Sequence, residues 1–246
     1  MTHHNISKDG INAALHAARQ YFLTFCLLAA ITVAGCAVGG HFLRSGDRII
    51  FFGDSITQLG VKSNGYVTLI QDSLRKNHAA LGIEVVGAGI SGNKVTDLQK
   101  RLQNDVLDKK PTVVVIYIGI NDVWHYALPN LKGTPKDEFE SDLKDIIGKI
   151  QGHHARVVLC TPSVVGEKND GTNPQDEMLD EYAGISRRVA AETGSSLCDL
   201  RKAFVEHLRV HNPKNDEKGI LTYDRVHLND DGNRLVAGQI LNALEH

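Results

Sequence analysis

Ser55 follows an unbroken apolar run, Ile49 to Phe52, and the turn residues Gly53 and Asp54. Far downstream, Asp224 and His227 stand three residues apart in Asp224-Arg-Val-His227. A serine hydroxyl is a weak nucleophile near neutral pH and needs an adjacent base. Neutral His227 could accept its proton. A carboxylate at that spacing could meet one ring nitrogen while the other faces Ser55. Asn121, in Gly119-Ile-Asn-Asp122, offers an N–H₂ group without a charge to solvate. Gly92, closing Gly89-Ile-Ser-Gly92, lets backbone approach a substrate oxygen closely. Nucleophile, base, orienting carboxylate and oxyanion donors are what acyl transfer requires. Plainer readings exist: Asp54-Ser55 suits a helix N-cap, and asparagine in a Gly-x-Asn-Asp turn is a common turn residue.

These residues need elements to bring them together. Residues 48–53, 83–86, 112–118, 155–160 and 195–200 read as strands, the third being β-branched and almost wholly apolar. Helical spacing of apolar residues covers 66–76, the stretch from Val95 to Leu107, 139–150, 175–192, 203–210 and a last helix opened by Asn229-Asp-Asp-Gly232. Alternating strand and helix predicts an α/β domain with a parallel sheet and helices on both faces. In such sheets ligands gather beyond the carboxyl ends of the strands. Ser55, Gly92 and Asn121 each follow a strand, and Asp224 to His227 precede the last helix. Residues 57–64, 123–135, 163–174 and 211–222 read as loops bordering that edge.

In order and spacing, Gly53-Asp-Ser-Ile56, Gly89-Ile-Ser-Gly92, Gly119-Ile-Asn-Asp122 and Asp224-Arg-Val-His227 resemble the four motifs of the SGNH, or GDSL, hydrolase family, across about residues 48–245. The resemblance implies a three-layer α/β/α sandwich with five parallel strands, a flavodoxin-like arrangement. It implies Ser55 as nucleophile, His227 as base and Asp224 as its orienter. The oxyanion donors would be the N–H groups of Ser55 and Gly92 and the Asn121 amide. Ile56 replaces the leucine of the motif, and Gly87 stands where the family often has asparagine, which would loosen the loop before Gly92. Asp54, Trp124 and His125 are candidates for lining the substrate site. Asp54 and Asp122 also read as loop braces, and His125 as a merely exposed loop residue.

Composition bounds the partners. With 42% hydrophobic residues, 23% charged and a net charge of −2, the 246 residues suit one globular domain without a basic footprint for nucleic acid. Tyr21 to Gly35 carries no charge and is short for a membrane span but right for a signal-peptide core. Val33-Ala-Gly-Cys36 follows at once and resembles a bacterial lipobox, in which Cys36 would carry lipid. An ordinary cleaved signal or an uncleaved anchor is the alternative. Residues 1–36 are thus expected to be a signal, 37–47 a tether and 48–246 the hydrolase domain, exported and touching a membrane only through the lipid. Cys160 and Cys198 either pair, which export permits, or pack as buried thiols.

The expected function is a serine esterase for short acyl groups, acetyl foremost, borne on a small molecule or a carbohydrate, with no cofactor and no metal. Polar loops such as Lys62-Ser-Asn-Gly65 and Glu167 to Asn173, with one tryptophan past Asn121, favour a hydrophilic carrier over a fatty chain. Three alternatives stand beside it. They are a longer-chain lysophospholipase or thioesterase, a metal-dependent phosphoesterase using Asp54, Asp122, Asp224 and His227, and a non-catalytic binding module. The sequence does not fix an oligomeric state.

Overall fold

A computed structural model describes residues 42–245. The expected signal segment, with Cys36, lies outside the described residues. Five strands form one parallel sheet: β1 (Arg48–Gly53), β2 (Glu84–Gly89), β3 (Val113–Tyr117), β4 (Arg156–Cys160) and β5 (Ser196–Cys198). Their order is β2-β1-β3-β4-β5. β3 is buried along its whole length and β1 nearly so, as strands covered on both faces should be.

Register puts the strand ends in line. Gly53 pairs with Gly89 on one side and Tyr117 on the other, Tyr117 with Cys160, and Cys160 with Cys198. The chain leaves β1 toward β2 on one side, returns to β3 and then proceeds outward the other way. The space between β1 and β3 is therefore the topological switch point where such sheets bind ligands.

Helices α1 (Ser55–Gly60) and α2 (Tyr66–Asn77) follow β1, and α3 (Val95–Asp105) follows β2. Next come α4 (Ile120–Trp124), α5 (Lys136–Gly152), α6 (Asp176–Thr193), α7 (Leu200–His211) and α8 (Asp230–Glu245). α2 packs on α8, while α3, α5 and α6 pack side by side, which gives the outer layers of the sandwich. The apolar spacing is the cause. α3 buries Val95, Leu98 and Leu102, and α5 buries Phe139, Leu143, Ile146, Ile147 and Ile150. α6 stops at Gly194, whose φ of +65° closes the helix in the left-handed region.

Four details differ from the sequence reading. Residues expected as loop at 57–64 and 123–135 include most of α1, the end of α4 and a 3₁₀ turn at His125–Ala127. Helices of five or six residues are too short to show a periodic face. β2 runs on through Gly87-Ala-Gly89, which carry no strand-forming side chains but pair with Phe51 to Gly53. Gly87 consequently loosens no loop: it lies in the strand, where a Cβ would come within 2.3 Å of Val61 Cγ1. β5 is only three residues long.

Of the segment read as a tether, Phe42 to Asp47 are described, and Leu43 and Asp47 are buried against the domain. Cys160 and Cys198 are buried free thiols in register on β4 and β5.

Candidate active site

The turn after β1 presents Ser55. Asp54 is 2% exposed, and its Oδ1 accepts the Ile56 N–H at 2.9 Å, capping α1. Ser55 is thereby the first residue of a helix that starts directly on the strand end. Burial pushes the Asp54 carboxyl up to about 7, the nearby Asp122 adds to this, and the Ile56 N–H and the Arg101 charge oppose it. Asp54 supports the Ser55 turn from inside and does not face solvent.

The His227 imidazole arrives from 172 residues away along the chain. His227 Nε2 lies 2.9 Å from Ser55 Oγ, and His227 Nδ1 lies 2.7 Å from Asp224 Oδ2. A carboxylate only accepts, so Nδ1 carries the proton and Nε2 is free to accept from the serine hydroxyl. Asp224 Oδ1 accepts the N–H groups of Val226 and His227 at 3.1 and 2.8 Å, which bends the intervening turn around the carboxylate. Partial burial opposes ionisation of Asp224, but the bonds from the His227 ring and from these two N–H groups outweigh it and hold the carboxyl below its ordinary value. Asn229 Oδ1 accepts the Gly232 N–H at 3.0 Å and starts α8 just past His227.

Gly92 and Asn121, the candidate oxyanion donors, follow β2 and β3. Gly92 is exposed, adopts a φ of +75° and has open space around it. Asn121, 4% exposed, donates from Nδ2 to the Asn93 carbonyl at 3.0 Å. That bond fixes the amide plane, and the second N–H has no acceptor among the described residues. Asp122 is fully buried, accepts the Val95 N–H at 3.1 Å and so joins the turn after β3 to the start of α3. Burial raises its carboxyl to about 6 against the bond from Val95.

Sequence reasoning missed Arg101. From α3 its guanidinium donates to the Gly53 carbonyl at 2.7 Å, the Ala88 carbonyl at 2.9 Å and Asn93 Oδ1 at 2.7 Å. It pairs with Asp105 and lies 4.5 Å above the Phe52 ring centroid. One side chain thus ties the end of β1, the end of β2 and the loop carrying Gly92. No spacing signals this, because two of the partners are carbonyls. Tyr223 was also missed; its ring stacks along the His227 imidazole, with centroids 5.8 Å apart, and it is 54% exposed.

Trp124 is half-buried and packs partly against the core, and His125 beside it is also half-buried. Burial first and the Lys94 charge second lower the His125 imidazole from its ordinary value. Glu167, expected on a polar rim, is instead fully buried. Desolvating a carboxylate is costly, so it sits where backbone donors receive it. A cavity of about 570 Å³ lined by Leu43, His78, Leu81 and Glu245 lies near the amino ends of β1 and β2, away from Ser55. Among the described residues no group of three His, Cys, Asp or Glu side chains could hold a metal ion. Asp54 and Asp122, invoked for a metal-dependent reaction, are taken up by the Ile56 and Val95 N–H groups. No helix among the described residues is long and apolar enough to cross a membrane.

The chain is similar to known proteins, some of them esterases. An acetyl xylan esterase of solved structure, AlAXEase, superposes with a TM-score of 0.78 at 47% identity, over 80% of this chain and 99% of its own. The acetylxylan esterase of Geobacillus stearothermophilus is 35% identical over 214 residues, which is 81% of this chain and 94% of the relative. An uncharacterized lipoprotein of Bacillus subtilis, YqeF, is 29% identical over 76% of this chain and 82% of its own length. The pattern that defines the GDSL-like lipase/acylhydrolase family matches residues 51–235. The chain belongs to that family, and it is a carboxylic ester hydrolase.

Proposed function

We propose that this protein is an exported serine hydrolase that removes acetyl groups from carbohydrate-borne esters through an acyl-enzyme on Ser55. The observation that carries the mechanism is the hydrogen-bonded series from Ser55 Oγ through His227 to Asp224, at 2.9 and 2.7 Å. Ser55 Oγ attacks the ester carbonyl carbon while its proton passes to His227 Nε2. The oxyanion is received by the Ser55 and Gly92 N–H groups and the Asn121 amide. His227 returns the proton to the leaving alcohol, and the C–O bond breaks to give acyl-Ser55. Water then attacks the acyl-enzyme with His227 again as base, which releases the carboxylic acid and restores the serine.

The acetyl assignment is supported by the acetylxylan esterases among its relatives. The exposed Tyr223 ring beside His227 offers a flat surface for a sugar. Residues 1–36 act as a lipoprotein-type signal, and Cys36 carries the lipid that anchors the domain of residues 48–246; the lipoprotein relative supports this.

The test is a p-nitrophenyl ester series from acetyl to palmitoyl, with acetylated xylooligosaccharides alongside, using wild type and Ser55→Ala. Efficiency highest at acetyl and deacetylation of the oligosaccharide support the reading. Each methylene that finds an apolar pocket adds up to about 0.8 kcal/mol, so a lipase or thioesterase shows kcat/KM rising with chain length. Ser55→Ala retaining more than about a tenth of the activity overturns the serine mechanism, where loss near a millionfold is the precedent.

A further inference from the structure

Asp224 and His227 sit on an irregular segment. Thr222 and Leu228 form a single antiparallel bridge, with the Tyr223 N–H donating to the His227 carbonyl at 3.0 Å, and Arg225 has a φ of +89°. Something must hold the foot of this loop if His227 Nε2 is to stay within reach of Ser55.

The Glu167 carboxylate does so. Its Oε2 accepts the Ile220 N–H at 2.7 Å. Its Oε1 accepts the Leu221 N–H at 2.8 Å, the Thr222 N–H, and the Thr222 hydroxyl at 2.7 Å. Three consecutive N–H groups and a hydroxyl therefore close on one anion, a nest of the kind that backbone builds for charged oxygens. Glu167, Leu221 and Thr222 are all 0% exposed, which shields their bonds from bulk solvent. Glu167 has no ion-pair partner among the described residues. Its own backbone is fixed as well. Its N–H donates to the Glu217 carbonyl at 2.9 Å, and its carbonyl accepts from Asn212 Nδ2 at 2.7 Å. Next to it, the Gly166 N–H donates to the Arg225 carbonyl at 2.8 Å, inside the Asp224 to His227 turn. The segment at 166–167 thus grips the loop both before and within that turn.

A buried carboxylate with only neutral donors is a costly way to gain stability, since an apolar side chain would avoid its desolvation. What it supplies is direction, because all four donors must point at two oxygens at once. From this convergence we propose that Glu167 is a positioning residue for catalysis, setting the place of the Asp224–His227 pair relative to Ser55. It touches neither substrate nor the reacting atoms. The proposal rests on the reading of Ser55, His227 and Asp224 as the catalytic residues.

The test uses the full chain with Glu167→Gln. The amide has one acceptor oxygen, and its N–H₂ faces the Ile220 N–H, so the nest cannot close. Steady-state hydrolysis of p-nitrophenyl acetate, normalised by fluorophosphonate titration, is measured with thermal unfolding and the downfield proton resonance of the His227 Nδ1–H. Misplacement of reacting groups by an ångström costs on the order of a hundredfold, so a folded variant should lose about ten- to a hundredfold in kcat with KM little changed. The Nδ1–H resonance should broaden or move. A folded variant with wild-type kcat overturns the proposal. So does a loss that only follows the unfolded fraction while the resonance stays in place. If Glu167→Gln does not fold, Thr222→Val removes the hydroxyl donor alone. It should lower kcat several-fold in a folded protein, and an unchanged kcat overturns the proposal equally. Ser55→Ala separates the two levels. If it stays active, the catalytic reading fails; if it is inactive while Glu167→Gln is fully active, only the positioning role fails.

Discussion

Asn121→Ala removes two interactions that can be measured apart. The first is the bond from Nδ2 to the Asn93 carbonyl at 3.0 Å. A bond of this kind contributes about 0.5–1.5 kcal/mol. Asn121 is almost fully buried and Asn93 half-buried, so the carbonyl recovers water only in part. We expect a stability loss of about 1–2 kcal/mol, read as a fall in Tm of roughly 2–4 °C per kcal/mol. The second is the donation of the free N–H to the oxyanion that we propose. Removing one such donor costs about 10²–10³ in kcat, or roughly 2.7–4 kcal/mol. The neutral ground-state carbonyl uses the donor less, so KM should change little. Asn121→Asp is the control. It keeps the shape but offers only oxygens, one of them toward the Asn93 carbonyl, so it should lose at least as much kcat and more stability. The assay is p-nitrophenyl acetate hydrolysis on active-site-titrated protein, paired with calorimetry. A normal kcat with lowered Tm would refute the reasoning and leave Asn121 as a brace for the Gly92 loop. A defect confined to KM would equally remove it from the oxyanion site.

Arg101→Lys cannot reach Gly53, Ala88 and Asn93 together; the Gly53 carbonyl keeps the Ile90 N–H, but any buried acceptor left unsatisfied costs about 1–3 kcal/mol. Calorimetry should show a clear drop in Tm with a fall in kcat, and an unchanged Tm would count against the clamp. Asp54→Asn should flatten the pH dependence of stability. Burial raises the folded pKa of Asp54 from 3.8 to about 7, so the folded chain keeps a proton that the unfolded chain sheds. This contribution is full below the unfolded pKa and is lost as pH rises through about 7. Asparagine can still accept the Ile56 N–H, so the variant should gain Tm over wild type as pH rises across that window. A difference independent of pH would contradict the assignment. In a bacterial host, Cys36→Ser should abolish lipid labelling and release the protein from membranes; equal labelling of both proteins would end the anchor reading.

The sequence by itself determined the layers and singled out the candidate reacting groups. Runs such as Ile49 to Phe52 and Val113 to Tyr117 are apolar without alternation, so they can only lie between two covering layers, and the helices between them show their buried faces by spacing. Ser55, Gly92, Asn121, Asp224 and His227 were legible as candidates because their chemistry resides in residue types at the ends of those elements. The tertiary structure alone decided what holds them. Arg101 works through the carbonyls of Gly53 and Ala88, and Glu167 through the N–H groups of Ile220, Leu221 and Thr222. Every residue but proline has those same backbone groups, so they leave no trace in the order of side chains. Glu167 in a polar stretch reads as surface, and only the fold brings a loop past β4 against the foot of the His227 turn. The extension of β2 through Gly87 and Gly89 was hidden for a related reason. Their fitness for the strand lies in the space claimed by Val61 and α1, and a missing side chain does not reveal its neighbour.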